Sequence, residues 1–95
     1  MTSHEITCIT LNSREDLQER VTHVGGQDPR GRLWRLTVSE AIQGMLDGKW
    51  EFFVTVDGTR QMLTVAYGRS GFRYLKGQGD GEEPRTLLRL SECGN

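Results

Sequence analysis

Cys8, Cys93, His4 and His23 are the side chains best suited to nucleophilic or metal chemistry in this sequence. A thiolate beside an imidazole makes a nucleophile and its base. Two Cys with two His is also the ligand count of a tetrahedral zinc site. The spacing favours neither, because no C-x₂-C or H-x₃-H pair is present and all four would have to meet through tertiary structure. No catalytic residue and no metal ligand is therefore assigned. The plainer expectation is a small apolar Cys8 side chain in a strand and a Cys93 thiol in the tail, both reduced as in a cytosolic protein. Asp80, Glu82 and Glu83 sit together in a glycine-rich stretch and Asp57 precedes Gly58. No second partner makes an acid–base pair of them, and turn chemistry accounts for them.

Binding chemistry has more candidates. Gly25-Gly26 lies close to Arg30 and Arg32, and Gly68-Arg69-Ser70-Gly71 lies close to Arg73. Backbone N–H groups in such turns can cradle an anion of nucleotide type, with arginine forks adding bidentate contacts. Neither stretch matches G-x-x-x-x-G-K-[ST], and no cofactor is implied. Arg60, Arg69 and Arg73 near Phe53 could present a base-stacking sheet surface to nucleic acid. A formal net charge of −1 argues against strong phosphate attraction and against membrane steering. On the second face of the expected sheet, Phe53, Met62 and Leu75 would form an exposed apolar patch, the mark of a protein partner or a homodimer.

These groups must be positioned by the stretch Trp50–Lys76, which reads as two linked hairpins. Trp50–Val56 is aromatic and β-branched, suited to a pleated, half-buried surface. Asp57-Gly58 predicts a type I′ turn. Pairing Val56 with Thr59 and Val54 with Gln61 puts Trp50, Phe52, Val54, Leu63, Val65 and Tyr67 on one face, the core side. A second tight turn centred on Arg69-Ser70 would set Tyr67 opposite Phe72 and Val65 opposite Tyr74, adding both aromatics to that face and sending Arg73 and Leu75 to the other.

Elsewhere, Glu5–Leu11 and Arg20–Val24 read as strands, the latter ended by Gly25-Gly26. Asn12–Glu19 reads as a loop or short helical turn, and Leu33–Leu36 as extended. Thr37-Val38-Ser39-Glu40 has the form of a capping box. Val38, Ile42, Met45 and Leu46 share one face of the helix that follows, and Gly48 suits its αL terminus. Gly77–Pro84 reads as an acidic loop and Arg85–Leu90 as a last strand or extended tail. The expectation is an α+β fold: one mainly antiparallel, meandering sheet with one helix on one face. The predicted core is Trp50, Phe52, Val54, Leu63, Val65 and Tyr74 with Val38, Ile42, Met45 and Leu46. The 95 residues make one small domain, with loose ends at about 1–4 and 92–95. No apolar run is long enough to span a membrane, and no secretory signal is seen at the N-terminus, which suggests a cytoplasmic protein.

The ordered set ITCIT, RVTHVGG, WRLTVSEAI, GRSGFRYLKGQGDGEEP and LLRLSEC resembles the bacterial family known as domain of unknown function 3892, from about Ile6 to Cys93. The resemblance implies a small α+β domain and brings no assigned activity, cofactor or catalytic residue. The segment Asn12–Glu19 is more acidic than that pattern, and Ser91 stands where a proline is expected. Residue chemistry and resemblance together point to a non-catalytic binding or adaptor module of a bacterium or phage, acting through a protein surface. Anion or nucleic-acid binding through Arg30, Arg32, Arg69 and Arg73 is the alternative.

Overall fold

The computed structural model describes residues 2–69 and 71–94. In chain order the elements are β1 (Thr2–Glu5), β2 (Cys8–Leu11), a single 3-10 turn (Leu17–Glu19), β3 (Val21–Gln27), β4 (Leu33–Thr37), α1 (Val38–Leu46), β5 (Trp50–Val56), β6 (Thr59–Tyr67), β7 (Arg73–Gly77), α2 (Arg85–Leu88) and β8 (Ser91–Glu92). The fold is α+β and mainly antiparallel. Its strands divide between two four-stranded sheets, in the orders β1-β5-β6-β7 and β4-β3-β2-β8. Among the described residues, β1/β5 and β2/β8 are the pairs that run parallel.

The N-terminal stretch serves both sheets. The Ile6 N–H donates to the Phe53 carbonyl in the first sheet, and the Thr7 N–H donates to the Gly25 carbonyl in the second. The single strand expected over Glu5–Leu11 is therefore two, with the chain changing sheets at Ile6–Thr7, as strands do at the corners of packed sheets. Thr2 to Glu5, a stretch that includes most of the loose end expected at about residues 1–4, is paired along its length with Trp50 to Phe53.

The β5–β6 hairpin follows its turn chemistry. Asp57 has φ 51° and Gly58 φ 79°, and Val56 pairs with Thr59 as the type I′ turn requires. The β6–β7 connection differs from expectation. Tyr67 pairs with Arg73 and Val65 with Leu75, and the Gly68 N–H donates to the Phe72 carbonyl at 2.7 Å. Three residues thus form the loop tip, with Gly71 in the left-handed region at φ 83°. Ser70, expected at the centre of a two-residue turn, lies outside the described residues. The extra residue slips the register by one, which exchanges the faces of β7. Leu75 enters the core at 2% exposure, and Tyr74 turns to the other face. Tyr74 is nonetheless buried there, its hydroxyl donating to the Glu82 carbonyl at 2.8 Å.

Helix α1 begins where the sequence signals it. The Glu40 N–H donates to Thr37 Oγ1 at 3.0 Å and the Thr37 N–H donates to Glu40 Oε1 at 2.9 Å, closing the capping box. Gly48 follows at φ 74°. The buried face of α1 is Ala41, Ile42 and Gly44, and Leu46, expected in the core, is half exposed.

The last stretch is helical where a strand was expected. Pro84 stands just before α2, a position its fixed φ suits. Asp80 caps the turn: its Oδ2 accepts from the Thr86 N–H and its Oδ1 from the Thr86 hydroxyl. Leu87 of α2, Ile6, Ile9, Val24, Ala41, Ile42, Phe52, Val54, Leu63 and Leu75 form the core between the sheets and helices.

Cys8 and Cys93 are bonded to each other, with Cα atoms 4.8 Å apart, and are not the free thiols expected. The bond joins β2 to the end of β8, whose parallel pairing already sets Cys8 opposite Ser91.

Candidate ligand-binding cleft

A strongly apolar recess is formed by residues the sequence distributes over three strands and a loop. Pairing of β1 with β5 sets Thr2 opposite Trp50 and His4 opposite Phe52, so His4, Trp50 and Phe52 share a face of the first sheet. Pairing of β3 with β4 sets Trp34 opposite Gly26 and Leu36 opposite Val24, so Trp34 and Leu36 share the inward face of the second. Where the edge strands β1 and β4 approach, these side chains and Asp28 line a cleft of about 250 Å³.

Phe52 is its floor, only 1% exposed. Trp34 stacks on Phe52 with ring centroids 5.7 Å apart and planes at 27°. Trp50 packs against Phe52 at 6.2 Å, and His4 approaches both Phe52, at 6.2 Å, and Trp34, at 6.0 Å. Such offset and tilted contacts add attraction beyond area burial, and here they fix the walls.

Two glycines make room for the indoles. A Cβ at Gly26 would overlap the Glu5 carbonyl and press on Trp34, and a Cβ at Gly44 would overlap the Trp50 indole. Trp50 is further held by its N–H donating to the Ala41 carbonyl at 3.1 Å. The Trp34 indole N–H is buried and meets no acceptor among the described residues. At the rim, Asp28 Oδ1 accepts from the N–H groups of Arg30 and Arg32, at 2.9 and 2.8 Å, which holds its carboxylate in place.

Of the residues singled out from the sequence as candidates, His4 lies in the cleft, and the others lie elsewhere. Gly25 and Gly26, expected to end a strand and open an anion loop, are buried inside β3. Gly25 gives space to the Cys8–Cys93 sulfurs, and a Cβ there would come within 3.0 and 3.1 Å of them. Arg30 and Arg32 are exposed together on the β3–β4 loop. Arg69 borders a shallow depression shared with Glu15, Asp16, Glu82 and Glu83, whose four carboxylates disfavour an anion. Arg73 borders a different depression beside Arg14 and Glu19. The four arginines are thus divided between at least two places and do not converge on one recess.

The proposed apolar patch is closed. Leu75 is interior through the register slip, and Phe53 is 7% exposed with the Arg60 guanidinium 4.1 Å over its ring. Met62 pairs with Phe53 across the hairpin and is partly covered. Among the described residues, no three of His, Cys, Asp and Glu gather as metal ligands. Cys8 and Cys93 are joined to each other, while His4 lies in the cleft and His23 contacts the Thr22 hydroxyl.

The two-sheet α+β fold thus carries an aromatic recess lined from both sheets. The chain belongs to the family described as protein of unknown function DUF3892, which it matches over residues 5–91. No curated protein matches it, and no solved structure matches it. Among the described residues, no helix is long and apolar enough to cross a membrane.

Proposed function

We propose that this protein is a non-catalytic binding module whose recognition site is the cleft of His4, Trp34, Leu36, Trp50 and Phe52. The observation that carries the reading is convergence: both tryptophans of the chain, from different sheets, pack on one buried phenylalanine and leave an apolar recess between them. Concave, mainly apolar recesses with few polar groups are the ordinary form of small-ligand sites. A volume of about 250 Å³ is just below the range of roughly 300–1,000 Å³ typical of drug-sized ligands, and favours a compact group over a nucleotide.

A protein partner acting through Phe53, Met62 and Leu75 is disfavoured by the burial of Leu75 and Phe53. Anion contact through Arg30 and Arg32 stays as the second reading, supported by their shared exposure on one loop. A cytoplasmic location belongs to the same proposal with one condition. Glutathione and thioredoxin keep cytosolic thiols reduced, so the cytoplasmic form is expected to carry Cys8 and Cys93 as thiols.

The test is a titration with a small neutral aromatic probe, benzyl alcohol, followed by the two indole N–H signals in a ¹H–¹⁵N spectrum. Saturable shifts of both indole signals, lost for Trp50 in Trp34→Ala, are expected. Shifts confined to residues outside the cleft would contradict the reading.

A further inference from the structure

We propose that the cleft takes a small free organic cation, a quaternary or fully methylated ammonium group on a short chain. This rests on the reading of the cleft as a binding site and adds the charge and class of the ligand.

The lining decides the class. The walls offer ring faces and one aliphatic side chain, Leu36. The Trp50 N–H is already engaged by the Ala41 carbonyl. The buried Trp34 N–H, without an acceptor among the described residues, serves at most a single polar atom, and a hydroxyl-rich or carboxylate ligand would leave its remaining polar groups unpaired, which is costly in an apolar recess. A methylated ammonium has no such requirement. Its charge is spread over a methyl-covered surface that packs on carbon, and the ring quadrupoles attract it. Trp is the strongest such partner, and the two tryptophans line the cleft above the buried Phe52.

The charge pattern agrees. Among the described residues, Asp28 is the one carboxylate lining the cleft, and neither Lys nor Arg lines it. Arg30 and Arg32 hold Asp28 through their backbone N–H groups, both on Oδ1. Neither guanidinium forms a salt bridge with Asp28, and Oδ2 meets no donor among the described residues. The carboxylate is thus oriented by the turn, with no salt-bridge partner among the described residues. The rings are held in place before any ligand arrives, by the Trp34–Phe52 stack and by the Trp50 hydrogen bond. Such preorganisation lowers the entropy lost on binding.

The test compares choline with 3,3-dimethylbutan-1-ol, its neutral carbon isostere, by the indole N–H signals of Trp34 and Trp50. The expected result is saturable binding of choline, with the isostere about tenfold or more weaker. Asp28→Asn keeps an oxygen acceptor for the Arg30 and Arg32 N–H groups and removes the charge. It is expected to weaken choline several-fold more than it weakens the isostere. Equal or tighter binding of the isostere would overturn the cation assignment and leave the cleft as a binding site. Absence of choline binding while benzyl alcohol still shifts both indoles would do the same. Failure of all three probes to reach the cleft would overturn both the cation assignment and the cleft reading.

Discussion

Gly44 of α1 is the socket for the Trp50 indole: a Cβ at Gly44 would overlap Cε2, Cζ2 and Nε1 of that ring. A glycine inside a helix lowers helix stability by roughly 0.5–1 kcal/mol relative to alanine, so Gly44→Ala in an open setting would be stabilising. Here the added methyl must displace an indole that is also hydrogen-bonded to the Ala41 carbonyl. Overpacking typically costs about 1–3 kcal/mol, which outweighs the helix gain. Gly44→Ala is therefore expected to lower stability in urea denaturation and to move the Trp50 indole N–H signal. Gly44→Ala with Trp50→Leu is expected to be less destabilised than the sum of the two single changes.

The Cys8–Cys93 bond closes most of the chain, its partners separated by 85 in sequence. In the chain-entropy view a loop of this length is worth about 4.5 kcal/mol, near the upper end of measured values. Reduction, or Cys93→Ser, is expected to lower the unfolding free energy by up to about that amount. The comparison is urea denaturation with and without dithiothreitol, and identical midpoints would contradict it.

The capping box gives α1 a defined acid response. Glu40 is held below the ordinary carboxylate value, first by the Thr37 backbone N–H, next by the Thr37 hydroxyl, with His23 adding a smaller effect. A depressed folded-state pKa contributes stability that is present above the unfolded value near 4.5 and is lost as pH falls through the folded value. Glu40→Gln is expected to flatten the stability–pH curve in that acid range. Thr37→Ala, which removes the cap acceptor, is expected to cost about 1 kcal/mol at neutral pH.

Tyr74 gives the opposite limb. Burial raises its hydroxyl pKa most, with Glu82, Asp16 and Asp80 adding to the shift. A raised folded-state value means stability that is complete below the unfolded value of 10.0 and is lost as pH rises through the folded one. Tyr74→Phe is expected to remove this alkaline loss. At neutral pH it is expected to cost about 1 kcal/mol for the hydrogen bond to the Glu82 carbonyl.

Local signals carried much of this fold. Asp57-Gly58 and Thr37–Glu40 act through their nearest neighbours, so their turn and cap could be read directly. The register of β7 could not. Tyr74 and Leu75 are both buried, one on each face, and alternation between apolar and polar residues cannot choose a face when both are covered. Only Gly71, left-handed at φ 83°, marks the longer loop tip that decides it. Arg85–Leu90 carries leucines that suit strand or helix, and the deciding groups are Pro84 and the distant Asp80 cap.

The cleft was the least legible part. Trp50 and Phe52 read as core, Trp34 as a short extended piece and His4 as a loose end. Their convergence needs β1 to pair in parallel with β5, nearly fifty residues away, and no local pattern announces that pairing. One sequence signal was present: Gly26, which faces Trp34 across β3/β4, marks a close approach and not a strand end.

The most direct test of the central claim is a ¹H–¹⁵N chemical-shift map of the protein against a small fragment set containing cationic, neutral and anionic members. The account predicts saturable shifts centred on His4, Trp34, Leu36, Trp50 and Phe52, led by methylated ammonium fragments. Shifts centred instead on Arg30 and Arg32, and led by the anionic fragments, would contradict it.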